Sequence, residues 1–285
     1  MRVFEKIAEV RQYLGEKRAK GNRIGFVPTM GFLHKGHQAL MHAAKEDPEV
    51  DLLAVSIFVN PLQFGPREDY RSYPRDLDRD KELCVTAGTD VLFVPAVEEM
   101  YPEGFSTSVE VTGVTEVLCG RSRPGHFRGV ATVVTKLFNI IQPDCAYFGI
   151  KDAQQVVVIQ QMVHDLNMPV RVKAHPTVRE DDGLAVSSRN VYLNEDERRA
   201  ATVLYRSLKL VEAEIKSGER DASRLKHILT ENISAEPLAR LDYAEVLQWP
   251  DLKPVDTLQP GEALAAVAVY FGRARLIDNV VVGVE

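Results

Sequence analysis

The chain has 285 residues, of which 45% are hydrophobic and 27% are charged, as in an ordinary globular protein. Its formal net charge of -6 argues against the basic surface that nucleic-acid-binding proteins present. Its cysteines are dispersed, which argues against a disulfide framework or a structural zinc site, and no apolar run approaches the ~18 residues of a membrane-spanning helix. We therefore expect a cytoplasmic protein without a nucleic-acid partner, a membrane partner or a tightly bound metal.

Residues 1–176 alternate between predicted helices and predicted strands. Nearly continuous apolar runs, such as D-L-L-A-V-S-I-F-V at residues 51–59, are typical of strands buried on both faces of a parallel sheet. The alternation predicts an α/β fold with a doubly wound parallel sheet, whose ligands lie beyond the carboxyl ends of its strands. The predicted helices are residues 3–19, 37–45, 75–87, 130–141 and 151–166, the predicted strands are residues 23–28, 51–59, 90–94, 144–148 and 170–174, and the predicted loops include residues 60–74 and 121–129.

The pattern changes after about residue 176. Two polar, amphipathic helices are predicted at residues 195–217 and 221–234, and strands follow at residues 242–248, 264–270 and 276–282. Helices followed by strands indicate a smaller α+β domain. We therefore predict two domains, residues 1–176 and residues 177–285.

The strongest motif is P-T-M-G-F-L-H-K-G-H at residues 28–37, where a buried strand runs into a glycine-containing turn and then a helix. His34 and His37 are three residues apart, which predicts that both lie on one face of the opening helix. A helix start offers free N–H groups and the positive end of a dipole, and both favour phosphate. The motif therefore predicts nucleoside triphosphate binding, although two unrelated surface histidines at a helix cap would give the same letters.

The segment A-V-S-S-R-N at residues 185–190 sets two hydroxyls beside the guanidinium of Arg189. Arginine contacts phosphate in a planar, bidentate manner, but a solvated loop has the same composition. Together with H-x-G-H, the segment resembles the two-part signature of class I adenylate-forming nucleotidyltransferases. Many of those enzymes carry a K-M-S-K-S loop here, so in this chain Arg189 would have to supply the cation.

Two further motifs follow predicted strands. In F-G-I-K-D-A-Q-Q at residues 148–155, Lys151 can pair with phosphate, whereas Asp152 also fits an ordinary helix cap. The amides Gln154 and Gln155 at the start of an apolar helix are harder to explain as structure. In N-P-L-Q-F at residues 60–64, the two amides can bind hydroxyls and carboxylates, and a proline turn with solvated amides explains them equally well.

These motifs occur in one order, with R-P-G-H-F-R-G at residues 123–129 and D-G-L-A-x-S-S-R-N at residues 182–190. Together they resemble the pantoate–β-alanine ligase (pantothenate synthetase) family over roughly residues 23–195. The resemblance implies that (R)-pantoate attacks the α-phosphate of ATP, with Mg²⁺, to give pantoyl adenylate and pyrophosphate. The amine of β-alanine then displaces AMP to give pantothenate. It also implies a homodimer with a Rossmann-like nucleotide- and pantoate-binding domain and a smaller C-terminal lid.

The resemblance also assigns roles to individual residues. His37 would be the general acid or phosphate stabiliser, and His34, Lys151 and Arg189 would supply further donors and charge. Gln63 and Gln155 would bind pantoate, and Gln63 would also border the β-alanine site. The basic segment with Arg121, Arg123, His126 and Arg128 would help to neutralise phosphate, and Tyr73 would border the substrates. The ATP-binding residues would be Met30, Gly31, Phe32, Leu33, His34, Lys35, Gly36, His37, Gly149, Ile150, Lys151, Asp152, Val178, Val186, Ser187, Ser188 and Arg189.

Three other functions stay open from the residues alone. The chain could transfer a nucleotide onto a phosphate-bearing substrate, which H-x-G-H by itself allows. It could be a relative of class I aminoacyl-tRNA synthetases, although its acidic balance argues against tRNA binding. It could also be a nucleotide-binding module without catalysis, since a fold does not by itself imply a function.

Overall fold

The computed structural model describes residues 1–66 and 68–285, so the predicted loop at residues 60–74 is described except at Arg67. The chain forms two compact units. Unit 1 comprises Met1–Thr112, Arg123–Ile150 and Val158–Pro176, and unit 2 comprises Gly113–Ser122, Lys151–Val157 and Thr177–Glu285. Two short segments from the first 176 residues therefore belong with the C-terminal unit. The division into a nucleotide- and pantoate-binding domain and a lid stays a prediction.

Unit 1 contains a six-stranded sheet in the order β1-β4-β3-β2-β5-β6. Every neighbouring pair is parallel, as the apolar runs predicted, and all residues of β3 are buried. The strands are β1 (Arg2–Phe4), β2 (Ile24–Thr29), β3 (Leu52–Ile57), β4 (Val91–Phe93), β5 (Cys145–Gly149) and β6 (Arg171–His175).

The strand order reverses between β2 and β5. From β2 the chain moves outward through β3 and β4, and it returns to β5 on the other side of β2 before ending at β6. In a doubly wound sheet, ligands bind outside the carboxyl ends of the strands at such a reversal. The motif at residues 28–37 continues from the end of β2, and the motif at residues 148–155 begins at the end of β5. The topology therefore puts the motif-bearing ends of these two strands next to each other.

The helices of the first 176 residues differ from the prediction at several places, and the short helix α4 (Val97–Met100) has no predicted counterpart. Residues 2–4 pair with β4 as strand β1, so the first helix begins at Ile7. The predicted loop at residues 121–129 is mostly helical, because Gly125, with φ of 82°, is the N-cap of a long apolar helix. The helices are α1 (Ile7–Arg18), α2 (Lys35–Glu46), α3 (Leu77–Thr86), α4 (Val97–Met100), α5 (Leu118–Ser122), α6 (His126–Ile141) and α7 (Ala153–Asp165), with 3-10 helices at Pro61–Gln63 and Ile150–Asp152.

Unit 2 contains an antiparallel sheet in the order β10-β9-β7-β8, with two helices packed on it. Leu208 and Leu229 of those helices pack in one core with Val267 and Val269 of the sheet. The predicted helix at residues 195–217 is two helices, since the chain turns at residues 201–202. The elements are a 3-10 helix at Ser188–Tyr192, α8 (Glu195–Ala200), α9 (Val203–Lys216), α10 (Ala222–Ser234), β7 (Ala239–Trp249), β8 (Lys253–Pro254), β9 (Gly261–Phe271) and β10 (Ala274–Val284).

Across residues 1–66 and 68–285, no helix combines the length and the apolar character that crossing a membrane requires. The parallel sheet with helices and the separate antiparallel unit agree with the predicted α/β fold and smaller α+β part.

Candidate active site

The turn after β2 is held at its start by Thr29, the last residue of the strand. The Thr29 hydroxyl donates a hydrogen bond to the Ser56 carbonyl at 2.8 Å and accepts one from the Gly31 N–H at 3.2 Å. Gly31 has φ of 80°, and a Cβ there would lie 2.9 Å from a methyl carbon of Ile57. Phe32 follows with φ of 49°, a conformation that is uncommon for residues with a side chain. The turn therefore requires glycine and needs further support at Phe32.

Asp80 of α3 supplies that support. Its carboxylate accepts hydrogen bonds from the Phe32 N–H at 2.7 Å and the Leu33 N–H at 2.6 Å, one at each oxygen. Only 1% of Asp80 is exposed. Burial raises the pKa of the Asp80 carboxyl, while the two backbone N–H bonds oppose that rise. Asp80 stands in a run of aspartates, so no local sequence pattern marks it as part of the site.

His34 and His37 together cap helix α2. His34 is the N-cap with φ of -144°, so the prediction that both histidines lie on the helix is wrong for His34. The Nδ1 atom of His34 accepts from the Gly36 N–H at 3.2 Å, and Nδ1 of His37 accepts from the His34 N–H at 3.3 Å. The two rings lie 4.0 Å apart, centroid to centroid. Because Nδ1 accepts in both rings, a neutral ring carries its proton on Nε2.

The side chain of Gln63 is buried and held on both ends of its amide. Its Oε1 accepts from Nδ2 of Asn60 at 3.0 Å, and its Nε2 lies 3.1 Å from the sulfur of Met30. Asn60 is itself fixed, since its Nδ2 also donates to the Gly129 carbonyl and its Oδ1 accepts from the Tyr101 hydroxyl at 2.8 Å. This network fixes which end of the Gln63 amide donates, and it rules out the alternative of a solvated proline turn.

The backbone carbonyl of Gln63 is held by the basic segment. A ring N–H at Nδ1 of His126 donates to it at 2.8 Å, and Nε2 of the same ring lies 3.0 Å from Nη1 of Arg123. Arg123 forms a bidentate pair with Glu68, at 2.7 and 2.6 Å. In unit 2, Arg121 pairs with Glu245 at 2.7 Å. Both arginines are thus already paired with carboxylates, and the hypothesis that this segment neutralises phosphate stays a prediction.

The F-G-I-K-D-A-Q-Q motif is divided at residue 150. Gly149 ends β5 and Ile150 begins a 3-10 helix in unit 1, whereas the following residues belong to unit 2. Nζ of Lys151 lies 3.2 Å from a carboxylate oxygen of Asp152. Gln155 is half-buried on the first turns of α7.

Gln154 has a structural role that its sequence motif does not show. Its Nε2 donates to the carbonyls of Val114 and Val117, at 2.9 and 2.7 Å, and the side chain is buried. It therefore ties the start of α7 to the segment before α5, within unit 2. The view that both amides are hard to explain as structure is wrong for Gln154.

The A-V-S-S-R-N motif lies in a narrow loop of unit 2. Arg179 and Ala185 form an antiparallel bridge, and the Val186 N–H donates to the Val178 carbonyl at 3.0 Å. Ser187 is the N-cap of the following 3-10 helix, and its hydroxyl oxygen accepts from the Arg189 N–H at 3.3 Å. The structure thus brings together the predicted residues Val178 and Val186, and it puts Ser188 and Arg189 on the first turn of a helix.

A cluster of Asp47, Glu49 and Cys145 in unit 1 has the ligand types and spacing of a cation site. Lys173 donates to both carboxylates, and the Tyr147 hydroxyl donates to Asp47 at 2.6 Å. Burial raises the pKa of Asp47, but these hydrogen bonds outweigh it, and the pKa falls to about 2. The cluster is therefore an internal ion pair, in which the lysine ammonium occupies the position between the carboxylates.

Comparison with known proteins identifies the family. The family model for Pantoate-beta-alanine ligase matches residues 2–281. The pantothenate synthetase of Carboxydothermus hydrogenoformans is 56% identical over 286 residues, which cover 100% of both chains. The solved pantothenate synthetase of Thermus thermophilus is 49% identical with a TM-score of 0.92, over 98% of this chain and 99% of that chain.

A second solved structure was determined with ligands. It is the pantoate-beta-alanine ligase of Francisella tularensis, complexed with beta-gamma ATP and β-alanine. It is 34% identical with a TM-score of 0.79, over 98% of this chain and 97% of that chain. These matches confirm the predicted family, fold class and enzyme class. The chain belongs to the pantoate–β-alanine ligase family.

Proposed function

We propose that this chain joins pantoate to β-alanine in two steps through pantoyl adenylate. A carboxylate oxygen of pantoate attacks the α-phosphorus of ATP, and the bond to the leaving pyrophosphate breaks. The amine of β-alanine then attacks the acyl carbon, loses a proton and displaces AMP. The overall reaction, ATP-dependent condensation of pantoate with β-alanine, is the activity of the family to which the chain belongs.

The observation that carries this proposal is the histidine-capped start of α2 directly after β2. Backbone N–H groups at a helix start and the positive end of the helix dipole stabilise phosphate, and the turn that precedes them is fixed by Asp80. A neutral His37 with its proton on Nε2 is a hydrogen-bond donor suited to a phosphate oxygen that gains charge. Preorganised donors of this kind usually make the largest single contribution to catalysis.

We propose two sets of candidate ATP-binding residues, one within each unit. In unit 1 the candidates are Met30, Gly31, Phe32, Leu33, His34, Lys35, Gly36, His37, Gly149 and Ile150. In unit 2 they are Lys151, Asp152, Val178, Val186, Ser187, Ser188 and Arg189. Lys151 and Arg189 would supply the positive charge that offsets the triphosphate and the approaching carboxylate.

Gln63 and Gln155 are our candidates for binding pantoate. We also propose that Gln63 borders the β-alanine site. The support for Gln63 is its burial and its fixed amide, because an oriented amide can discriminate a hydroxyl from a carboxylate. Tyr73, which is buried against Phe64, remains a candidate neighbour of the substrates.

We further propose that Mg²⁺ arrives with ATP and that the protein holds no metal of its own. The support is that the carboxylates of the Asp47 cluster are already neutralised by Lys173 and Arg171. Metal analysis of the purified protein, followed by assays with added Mg²⁺ after chelation, tests this. Stoichiometric metal that survives chelation would contradict it.

A homodimer in the cytoplasm completes the proposal. The support is the family membership, since the resemblance implies a dimer and a soluble biosynthetic role. Sedimentation analysis over a range of protein concentrations should give the mass of two chains. A monomer throughout that range would contradict the dimer.

The experiment that tests the adenylate route follows an oxygen atom. Pantoate labelled with oxygen-18 in its carboxylate should give AMP that carries one labelled oxygen, because that oxygen leaves with AMP when the amide forms. Unlabelled AMP would contradict an adenylate. ADP with labelled phosphate would show that an acyl phosphate forms instead.

A further inference from the structure

The outer strand of the unit 2 sheet carries two buried polar residues. β10 lies at the edge of the order β10-β9-β7-β8, and Asp278 and Asn279 stand next to each other near its middle. Their exposed fractions are 2% and 6%. Buried acidic and amide side chains are rare unless they are paired, and neighbouring residues of a strand point to opposite faces. The two side chains can therefore hold two different segments.

Asp278 holds the loop that contains the A-V-S-S-R-N motif. Its two carboxylate oxygens accept from the guanidinium of Arg179 at 2.6 and 2.9 Å. The same guanidinium donates to the Gly183 carbonyl at 3.0 Å and to the Asn279 carbonyl at 3.3 Å. It also stacks on Tyr205, 4.1 Å from the ring centroid. Arg179 thus closes the loop on itself and fixes it to the edge of the sheet.

The 3-10 helix that continues this loop also packs on β10. Gly183 leaves no room for a side chain, because a Cβ there would lie 2.1 Å from the ring of Tyr205. Together with the Arg179 contacts, this packing leaves the loop little freedom relative to the sheet. The backbone of Val178, Val186 and Ser187 is therefore placed by residues about a hundred positions later in the chain.

Asn279 holds the other segment of unit 2 that is proposed to bind phosphate. Its Nδ2 donates to the Lys151 carbonyl at 2.8 Å. Its backbone N–H donates to a carboxylate oxygen of Asp278, also at 2.8 Å, so the carboxylate that pairs with Arg179 is also held by the backbone of Asn279. The Lys151 carbonyl lies in the 3-10 helix that leads into α7, and fixing it sets the direction in which the lysine side chain leaves the backbone.

We propose that Asp278 and Asn279 are positioning residues for ATP, which together set the distance and orientation between the Lys151 segment and the loop at residues 178–189. The proposal rests on the proposed function, in which those two segments bind the nucleotide. Neither residue needs to touch ATP for this role. Their effect is that unit 2 presents its two nucleotide-binding segments as one preorganised surface, so that less conformational freedom is lost on binding.

The first test is Asn279→Ala, which removes the hydrogen bond to Lys151 and leaves the Arg179–Asp278 pair in place. We expect KM for ATP to rise about threefold to tenfold, because this factor corresponds to the free energy that one buried hydrogen bond contributes. KM for pantoate should change less than about twofold. A merely structural role would lower the active fraction and leave KM for ATP unchanged. An unchanged KM for ATP would overturn the proposal for Asn279.

The second test compares two aspartates of unit 2 that each pair with an arginine. Asp278→Asn weakens the pair with Arg179, whereas Asp242→Asn weakens the pair with Arg275, which is three residues before Asp278 on β10. Both variants should lower the melting temperature. Only Asp278→Asn should raise KM for ATP, by about tenfold or more, because it alone frees the loop. An equal rise in both would overturn the proposal, and if Asp278→Asn does not fold, Asn279→Ala decides.

ATP binding is also measured directly by titration calorimetry in the absence of pantoate. If the wild-type chain binds ATP but makes no pantothenate, the proposed function fails, and the affinity comparison still tests the positioning role. If the wild-type chain is active and Asn279→Ala binds ATP as tightly as it does, the positioning role alone fails.

Discussion

The turn after β2 and the loop at residues 177–189 present two ways to support a segment that is proposed to bind phosphate. The β2 turn is held mostly by short-range hydrogen bonds, because the N–H groups of Gly31, His34 and Gly36 each find a side-chain acceptor within a few residues. The loop of unit 2 depends on Asp278, which is about a hundred residues away in sequence. A local turn leaves a recognisable motif, whereas a segment held from a distance leaves a motif that looks like an ordinary loop.

The β2 turn also has distant supports, which are the Ser56 carbonyl that accepts from Thr29 and the carboxylate of Asp80. A carboxylate that is buried beside two N–H groups is held there despite the rise in its pKa. By contrast, the pKa of Asp47 in the ion cluster is lowered to about 2. Functional sites often keep groups that are unfavourable for stability, whereas a structural ion pair has no reason to contain such groups. The two carboxylates therefore provide a direct test of which region serves function.

The largest effect is expected for His37→Ala. Loss of one preorganised donor typically costs ~3–4 kcal/mol in the transition state, so adenylate formation should slow about a hundredfold to a thousandfold. His42, exposed on the same helix, provides the control variant His42→Ala. The measurement is single-turnover formation of pantoyl adenylate. A normal rate in His37→Ala would show that the β2 turn is only a helix cap.

A smaller but specific effect is expected for Asp80→Asn. The amide offers one oxygen and one NH₂ group, so one of the N–H groups of Phe32 and Leu33 would face another donor. The turn should loosen, and KM for ATP should rise about tenfold, since an unsatisfied buried N–H costs ~1–3 kcal/mol. Asp78→Asn, an exposed carboxylate on the same helix, is the matched control. Equal KM values in both variants would mean that the turn needs no distant support.

Gln155→Ala sharpens the assignment of the pantoate pocket. Loss of one amide should raise KM for pantoate about threefold to tenfold and leave KM for ATP nearly unchanged. Gln160, exposed on the same helix, gives the control Gln160→Ala. Steady-state kinetics with each substrate varied in turn decides it. If Gln155→Ala instead weakens the affinity for ATP and leaves the affinity for pantoate unchanged, Gln155 belongs to the nucleotide site.

Asp47→Asn should change stability without changing catalysis. The free energy of unfolding should fall by ~1–3 kcal/mol near neutral pH, the cost of a lost buried hydrogen-bond partner. Because the folded pKa lies below the unfolded value of about 4, the stabilisation is present above that value and is lost as the pH falls toward 2. Urea unfolding of both proteins between about pH 7 and pH 3 measures this.

The difference between Asp47→Asn and the wild type should therefore shrink as the solution becomes more acidic. KM for ATP should stay constant, in contrast to Asp80→Asn. A change in KM for ATP in Asp47→Asn would remove the contrast between the two carboxylates, and a difference in stability that is the same at all pH values would contradict the lowered pKa.

The sequence predicted the elements whose burial pattern is local. The strands β2 and β3 are continuous apolar runs, and their positions agree with the prediction to within two residues. Strand β1 was missed because three residues at a sheet edge give no periodic signal, and α5 was missed because five residues with a central glycine give no helical period. The start of α6 was displaced because a left-handed Gly125 acts as its cap.

The residues of the candidate site also divide into those that have a local sequence signal and those that do not. His34, His37 and Gln63 were found because strand, turn and helix signals surround them. Asp80, Asp278 and Asn279 were missed, since each acts through a hydrogen bond to a residue that is distant in sequence. The structural role of Gln154 was missed for the same reason. Its amide donates to two backbone carbonyls that are distant in sequence, and only the fold shows this.

The most direct test of the central claim is pantoate-dependent exchange of labelled pyrophosphate into ATP, with Mg²⁺ and without β-alanine. We predict exchange that requires pantoate, that is retained in His42→Ala and that is reduced in His37→Ala by the factor seen in adenylate formation. Absence of exchange in folded protein that binds ATP would contradict the adenylate and return the chain to the broader nucleotidyltransferase hypothesis.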